Sequence, residues 1–384
     1  MAKQYYLDYA GATPLRKEVF AAMRPFFTEQ FANPSSIHSE GQAAAEVVEQ
    51  ARGSIAKIFG CKAKEIIFTS CGSESINLVI QGVARAKGKG HIITSLAEHA
   101  ATLRSCEWLE AQGFQVTYLR PDQHGVITAK QVQAAIQEDT ILITLLYASN
   151  EVGTINPIAE IAQVAKTFQI PFHIDSCQAA QYLSMNLQDL GVDMMTINAS
   201  KIYGPKGVAV LYVKEGTALK SLIFGGKHEH SLRAGTLNVP GIIGIAKALE
   251  LAESEKASES TRLAAMQEEL IKQLLKLPDA YLNGHKTKRL PNNINISFLG
   301  VDAETLVRAL SAQGLHCSSG SACSQGTVKS SHVLEAMGKD RYRSQSSLRI
   351  SLGKESVQDD VEAITSTVTR TVISLRKVQR PKDK

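Results

Sequence analysis

Between residues 65 and 215 short apolar runs alternate with helical stretches, and this rhythm constrains the chain more than any other feature. The runs are Glu65-Ile66-Ile67-Phe68-Thr69, His91-Ile92-Ile93-Thr94, Thr140 to Leu145, Pro171-Phe172-His173-Ile174-Asp175, Met194-Met195-Thr196-Ile197 and Val208 to Val213. Several are continuous rather than alternating, the pattern of strands covered on both faces. An α/β sheet with crossover helices is therefore predicted. Beyond about residue 240 the texture changes. The spacing predicts a helix from Ile242 to Glu255 running into the polar stretch Ser254 to Ser260, then a longer amphipathic helix to about Leu277. Short strands (Asn293 to Phe298, Leu315 to Ser318, Ser347 to Ser351) then alternate with helices (Ala303 to Gln313, His332 to Met337, Val357 to Leu375). We expect a smaller α+β domain there, with a boundary near residue 258, inside or beside a helix. The large domain would span 15–258, and the small one 1–14 with 259–384.

Composition excludes several classes. At 384 residues, 44% hydrophobic and 21% charged, the chain reads as an ordinary globular enzyme rather than a fibre or a disordered segment. Much of the net charge of +5 sits in Arg376 to Lys384, which reads as a solvated tail. No basic, aromatic-rich module points to nucleic acid. No apolar run reaches the ~20 residues of a membrane span, and no signal or transit pattern opens the chain, so a cytoplasmic location is expected. The cysteines Cys61, Cys71, Cys106, Cys177, Cys317 and Cys323 form no CxxC pair and match no zinc spacing. Free thiols in a reducing compartment are the simplest account.

Three segments carry chemistry together. Ser200-Lys201-Ile202-Tyr203-Gly204-Pro205 sets a lysine at a strand end before a turn, which alone reads as a surface lysine. Asp175-Ser176-Cys177-Gln178 ends an apolar strand in an acid, and the carboxyl ends of such strands are where ligands bind. Thr69-Ser70-Cys71-Gly72-Ser73-Glu74-Ser75 ends a strand in small residues before a helix, a turn able to hold a phosphate. An anion cradle, a carboxylate for a ring nitrogen and a lysine for a Schiff base are what pyridoxal 5'-phosphate (PLP) requires.

With these in place the chain resembles the cysteine desulfurase family of fold-type-I PLP enzymes, of the long-loop class, nearly end to end. The resemblance rests on Leu7-Asp8-Tyr9-Ala10-Gly11-Ala12-Thr13-Pro14, Asn33-Pro34-Ser35-Ser36-Ile37-His38, Thr69 to Asn77, Glu98-His99 and Asn150-Glu151-Val152-Gly153. It continues through Gly225-Gly226 to Arg233-Ala234-Gly235-Thr236-Leu237-Asn238, and Ser318-Ser319-Gly320-Ser321-Ala322-Cys323-Ser324. It implies a mostly parallel seven-stranded sheet plus a smaller α+β domain carrying the active cysteine.

The resemblance also implies roles. Lys201 would join the cofactor, Asp175 pair with its ring nitrogen, and Gln178 and Asn150 steady its phenolate oxygen. His99 would stack on the ring and move protons. Gly72 and Ser73 would cradle the phosphate, with Asn198 and Ser200 as further donors. Thr236 would reach the phosphate of a neighbouring subunit, implying a homodimer. Arg349 would clamp the carboxylate of L-cysteine, and Cys323 would receive its sulfur as a persulfide for an acceptor such as an iron–sulfur scaffold or a tRNA-thiolation carrier. The small residues around Cys323, with Gly326 beyond, suit a thiol that must travel. No metal is expected.

Four departures stand out. Asn198-Ala199-Ser200-Lys201 replaces the family's Ser-x-His-Lys, Tyr9 stands in the opening motif, His230 takes the place of an arginine, and Ser73 that of a threonine. Related readings are a selenocysteine lyase, a cystine C–S lyase or a scaffold without catalysis.

Overall fold

The structure, a computed structural model, describes residues 3–319 and 330–379; Cys323 and Gly326 lie outside the described residues. In chain order the strands are β1 (Tyr5–Tyr6), β2 (Ile66–Thr69), β3 (His91–Ser95), β4 (Gln115–Leu119), β5 (Thr140–Leu146), β6 (Phe172–Asp175), β7 (Met194–Asn198) and β8 (Ala209–Val213). They continue with β9 (Ala280–Leu282), β10 (Asn293–Phe298), β11 (Leu315–His316) and β12 (Ser347–Ser351). A seven-stranded sheet runs in the order β2-β8-β7-β6-β5-β3-β4. Only β8 opposes the rest, being antiparallel to both β7 and β2. The carboxyl ends of the other six strands therefore share one edge, and helices such as Gly72–Lys87 and Ile158–Thr167 connect them.

Two strands escape the hydrophobic pattern. β4 is an edge strand whose residues are mostly half-buried, so it lacks the continuous apolar run of its neighbours. β9, of three residues, is too short to show a period.

The polar stretch Ser254 to Ser260 is not an interruption. It lies within one helix, Val239–Leu274, of 36 residues. Its charges pair at helical spacing, as in Lys256 with Glu253 and Arg262 with Glu259, and Glu255 also binds Arg16 at 2.8 Å. The hydroxyls of Ser258 and Thr261 bond carbonyls of the preceding turn. With no glycine or proline in the stretch, polarity alone does not stop a helix. The expected boundary near residue 258 therefore has no linker to mark it.

The second part of the chain forms a β12-β10-β9 antiparallel sheet beside a parallel β1-β11 pair. Isolated bridges join Asp8 to Ser351 and Ser318 to Arg349. One apolar cluster runs through both parts, from Ile55 and Ile174 through Leu270 to Ile296 and Leu348.

Two buried histidines stitch the large sheet. His173 on β6 sits between the hydroxyls of Thr144 (2.8 Å) and Thr196 (3.0 Å) on the flanking strands. His91 on β3 does the same with Thr140 and Thr117. Burial drives the His173 imidazole down to about 3. Unfolded, it takes up a proton near its ordinary 6.5, so the unfolded state binds more protons below that pH and folding stability falls as pH drops from about 6.5 to about 3. We expect the urea midpoint to fall more steeply between pH 7 and pH 5 in the wild type than in His173→Gln, whose amide bridges the same hydroxyls without titrating. Equal slopes would count against this.

Candidate active site

The cavity lies where the strands end. It has a volume of about 310 Å³, at the low end of small-molecule sites. Gly72 and Ser73 reach it after β2, and His99 after β3. Asn150 follows β5, Asp175 and Gln178 end β6, and Asn198 and Lys201 end β7. Arg349 enters from β12. A larger groove of about 830 Å³ opens at the opposite, amino ends of β6 and β7, but its charges largely pair among themselves, Lys62 with Glu215 and Lys214 with Asp193.

Lys201 is half-buried, and its Nζ donates to the carbonyls of Ala10 (3.0 Å) and Gly11 (2.5 Å). These come from the N-terminal segment, which Thr13 pins beside the lysine by donating to the Ser200 carbonyl and accepting from the Tyr203 N–H at 2.7 Å. Burial pulls the Lys201 amine below its ordinary value, although Cys177, Asp8 and Asp175 oppose the shift. A lysine eased toward its neutral form is the one that can act as nucleophile and base.

The other walls are equally specific. The Asp175 Oδ1 accepts the Cys177 N–H at 2.9 Å. The Gln178 amide donates to the Ala10 carbonyl at 2.9 Å. His99 caps the helix Ala100–Ala111, its Nδ1 accepting from the Ala101 N–H at 3.1 Å. Arg349, 3% exposed, donates to the Asp8 carboxylate (2.6 Å) and the Asn150 carbonyl (3.0 Å), and its Nε has no partner among the described residues.

Behind His99, Glu98 is buried, and burial lifts its carboxyl well above the ordinary range. Its Oε1 accepts the Leu146 N–H at 3.0 Å, while Oε2 has no partner among the described residues, as fits a neutral acid.

These residues suit PLP. A Cβ at Gly72 would crowd the Cys177 sulfur at 3.0 Å, so glycine leaves room at the head of the 16-residue helix Gly72–Lys87. The first N–H groups of a helix have no partner within it and favour an anion. Gly72, Ser73 and Asn198 would hold the phosphate, Asp175 the ring nitrogen and Lys201 the aldehyde. Ser200 is not part of the cavity wall; its hydroxyl donates to Asn198 Oδ1 at 3.3 Å. Thr236 is exposed and lies outside this cavity.

Sequence reading missed the Ala10 and Gly11 carbonyls, the Asp8 partner of Arg349, and Cys177 and Ile76 in the wall. Backbone acceptors leave no residue-type signal, and Cys177 looked like one more small hydrophobe. Tyr9 is accommodated by Gly353, where any Cβ would fall 2.3 Å from its ring.

Fold and site together define a PLP-dependent enzyme of fold type I. The aminotransferase class-V model matches residues 5–364. The cysteine desulfurase IscS of Dictyoglomus turgidum is 46% identical over 382 residues, covering 98% of this chain and 97% of that protein. A solved NifS-like protein superposes with a TM-score of 0.90 at 34% identity, over 97% of this chain and 100% of the other. A structure described as SspA in complex with cysteine gives 0.81 at 38% identity, over 91% and 99%. The chain belongs to the aminotransferase class-V family, among its cysteine desulfurases.

Proposed function

We propose that this protein converts L-cysteine to L-alanine and captures the sulfur as a persulfide on Cys323, for delivery to an acceptor in iron–sulfur cluster assembly or tRNA thiolation. The observation that carries the reading is the convergence of Lys201, Asp175, His99 and Arg349 on one cavity at the strand ends. Bound PLP supplies an electron sink for the bonds at the substrate Cα. Lys201, its amine drawn below its ordinary value by burial, takes and returns the Cα proton. His99 serves as a second proton carrier. The open Nε of Arg349 supports a carboxylate contact beside those the guanidinium already makes. The Cys323 thiolate attacks the substrate sulfur: an S–S bond forms, the C–S bond breaks, its electron pair stays with carbon, and a proton delivered there completes alanine.

Residues on either side of the segment 320–329 lie near this cavity. Ser318 bridges Arg349, and Ser331 binds Glu151, the neighbour of Asn150. Such placement supports Cys323 as the sulfur acceptor.

A homodimer is part of the reading. Phe20, Phe27, Phe31, Ile37 and Phe224 are all more than half exposed, an apolar excess that suits a second copy. Ser35 contacts His228 at 3.2 Å, which joins the segment holding Phe31 and Ile37 to the one holding Phe224 and Thr236. The described cysteines are all free, in keeping with a reducing cytoplasm. Among the described residues no helix is long and apolar enough to cross a membrane.

Peptide mass mapping tests the proposal. After incubation with L-cysteine and trapping of reactive sulfur, the added sulfur atom is expected on the Cys323 peptide, in step with alanine formed. Alanine production with unmodified Cys323, or by Cys323→Ser at the wild-type rate, would overturn the assignment.

A further inference from the structure

One buried carboxylate beside the cavity has no part in the chemistry above. Glu151 follows Asn150 and is 2% exposed. Its Oε2 accepts from the Ser331 hydroxyl at 2.5 Å, and its Oε1 lies 3.8 Å from His332 Nδ1. The other ring nitrogen of His332, Nε2, is 3.0 Å from the Glu98 main-chain carbonyl, to which it donates. His99 comes next after Glu98. A single imidazole thus spans the two strand-end loops whose neighbouring residues, His99 and Asn150, line the cavity. Apolar packing reinforces the span: Ala97 and Val152 from those loops cluster with Val333, Leu334, Ala336 and Met337.

We propose that Glu151 and His332 are positioning residues for the reaction, locking the helix His332–Ala336 to the two loops that present His99 and Asn150. The inference rests on the reading of His99 and Asn150 as working groups.

Donation to the Glu98 carbonyl places one proton on Nε2, so Nδ1 faces the Glu151 carboxylate. Burial lifts the Glu151 carboxyl above its ordinary range, while His332, Ser331 and Arg349 draw it back. Glu107, Glu110, Arg120 and Glu335 share the groove onto which His332 opens. On the buried side Arg349 favours an ionised Glu151, and Glu98 is the remaining titratable neighbour.

The test uses the PLP-loaded protein, with kcat and KM for cysteine measured across pH. Glu151→Ala is expected to lower kcat about tenfold with KM within about twofold, as for a misplaced catalytic group. Glu151→Gln, which still accepts from Ser331, keeps most of kcat. His332→Ala changes a half-exposed side chain that folding tolerates, and it reproduces the Glu151→Ala loss. Wild-type kcat in His332→Ala and Glu151→Ala, even with a lowered melting temperature, would overturn the proposal, as would a rise in KM alone. His99→Ala run in parallel separates the two layers. Full activity there removes the reading of His99 and the coupling with it. An inactive His99→Ala beside a wild-type His332→Ala removes the coupling only.

Discussion

Lys201→Ala protein is expected to be colourless and to turn over cysteine about 10³-fold more slowly, or worse. The wild type should be yellow, its absorption coming from the cofactor joined to the lysine. Burial in the cavity draws the Lys201 amine below its ordinary value. It is held by two main-chain carbonyls, with Asp175, Asn198 and the Gly72 cradle around the same cavity. Removing it takes away the anchor and the proton carrier together, and no other lysine lines the cavity among the described residues. Absorbance after reconstitution with PLP, followed by alanine and sulfide release, makes the measurement. A yellow variant with turnover within about tenfold of wild type would sink the assignment.

Glu229→Ala is expected to cost about 3–5 kcal/mol of folding stability, a large share of what a protein possesses. Arg52 and Glu229 form a pair 3% and 5% exposed, bidentate at 2.7 and 2.9 Å. Glu229 also accepts the Phe68 N–H at 2.7 Å, and the Arg52 guanidinium lies over the Phe68 ring at 4.7 Å. Removing the carboxylate leaves the buried Arg52 with only the exposed Glu49 (3.0 Å) and the Ile66 carbonyl, and takes the acceptor from the Phe68 N–H. The pair has a second duty. Glu229, His230 and Ser231 hold φ of 46°, 54° and 66°, three successive residues in the left-handed region without a glycine. Each costs about 1–3 kcal/mol and persists only where the surroundings enforce it. His230, the residue standing in place of an arginine, is exposed within this turn. Urea denaturation gives the shift. The double variant Arg52→Met with Glu229→Gln removes the buried cation while keeping an acceptor for Phe68, and it should recover part of the loss. A single variant within about 1 kcal/mol of wild type would show that the pair is dispensable.

The site was legible in the sequence to the extent that residue type carries chemistry. Lys201, Asp175 and the Gly72-Ser73 turn carry such chemistry at strand ends, while His99 and Arg349 were read through the resemblance, and all meet at the cavity. The sheet was legible because β3, β5, β6 and β7 are buried along nearly their whole length, so their apolar runs are unbroken. Edge strand β4 was not, since half-exposure dilutes its pattern. The polar residues around Ser258 misled because ion pairs and hydroxyl-to-carbonyl bonds satisfy a helix as well as a loop. Ala10 and Gly11 act through carbonyls that any residue could offer. Ser200 and Thr236 were carried by resemblance alone, and neither lines this chain's cavity.

The helix Val239–Leu274 touches both the Ser39–Phe59 helix of the larger part and the Val361–Gln379 helix of the smaller. Its 36 residues extend about 54 Å at 1.5 Å each. A spindle of that length, continuous through both halves, is expected to resist a clamshell closure around substrate. Admission and release are then expected at the rim, by loops and side chains, with the two halves at a fixed spacing. Paired spin labels at the spindle's ends would read the same separation with and without cysteine.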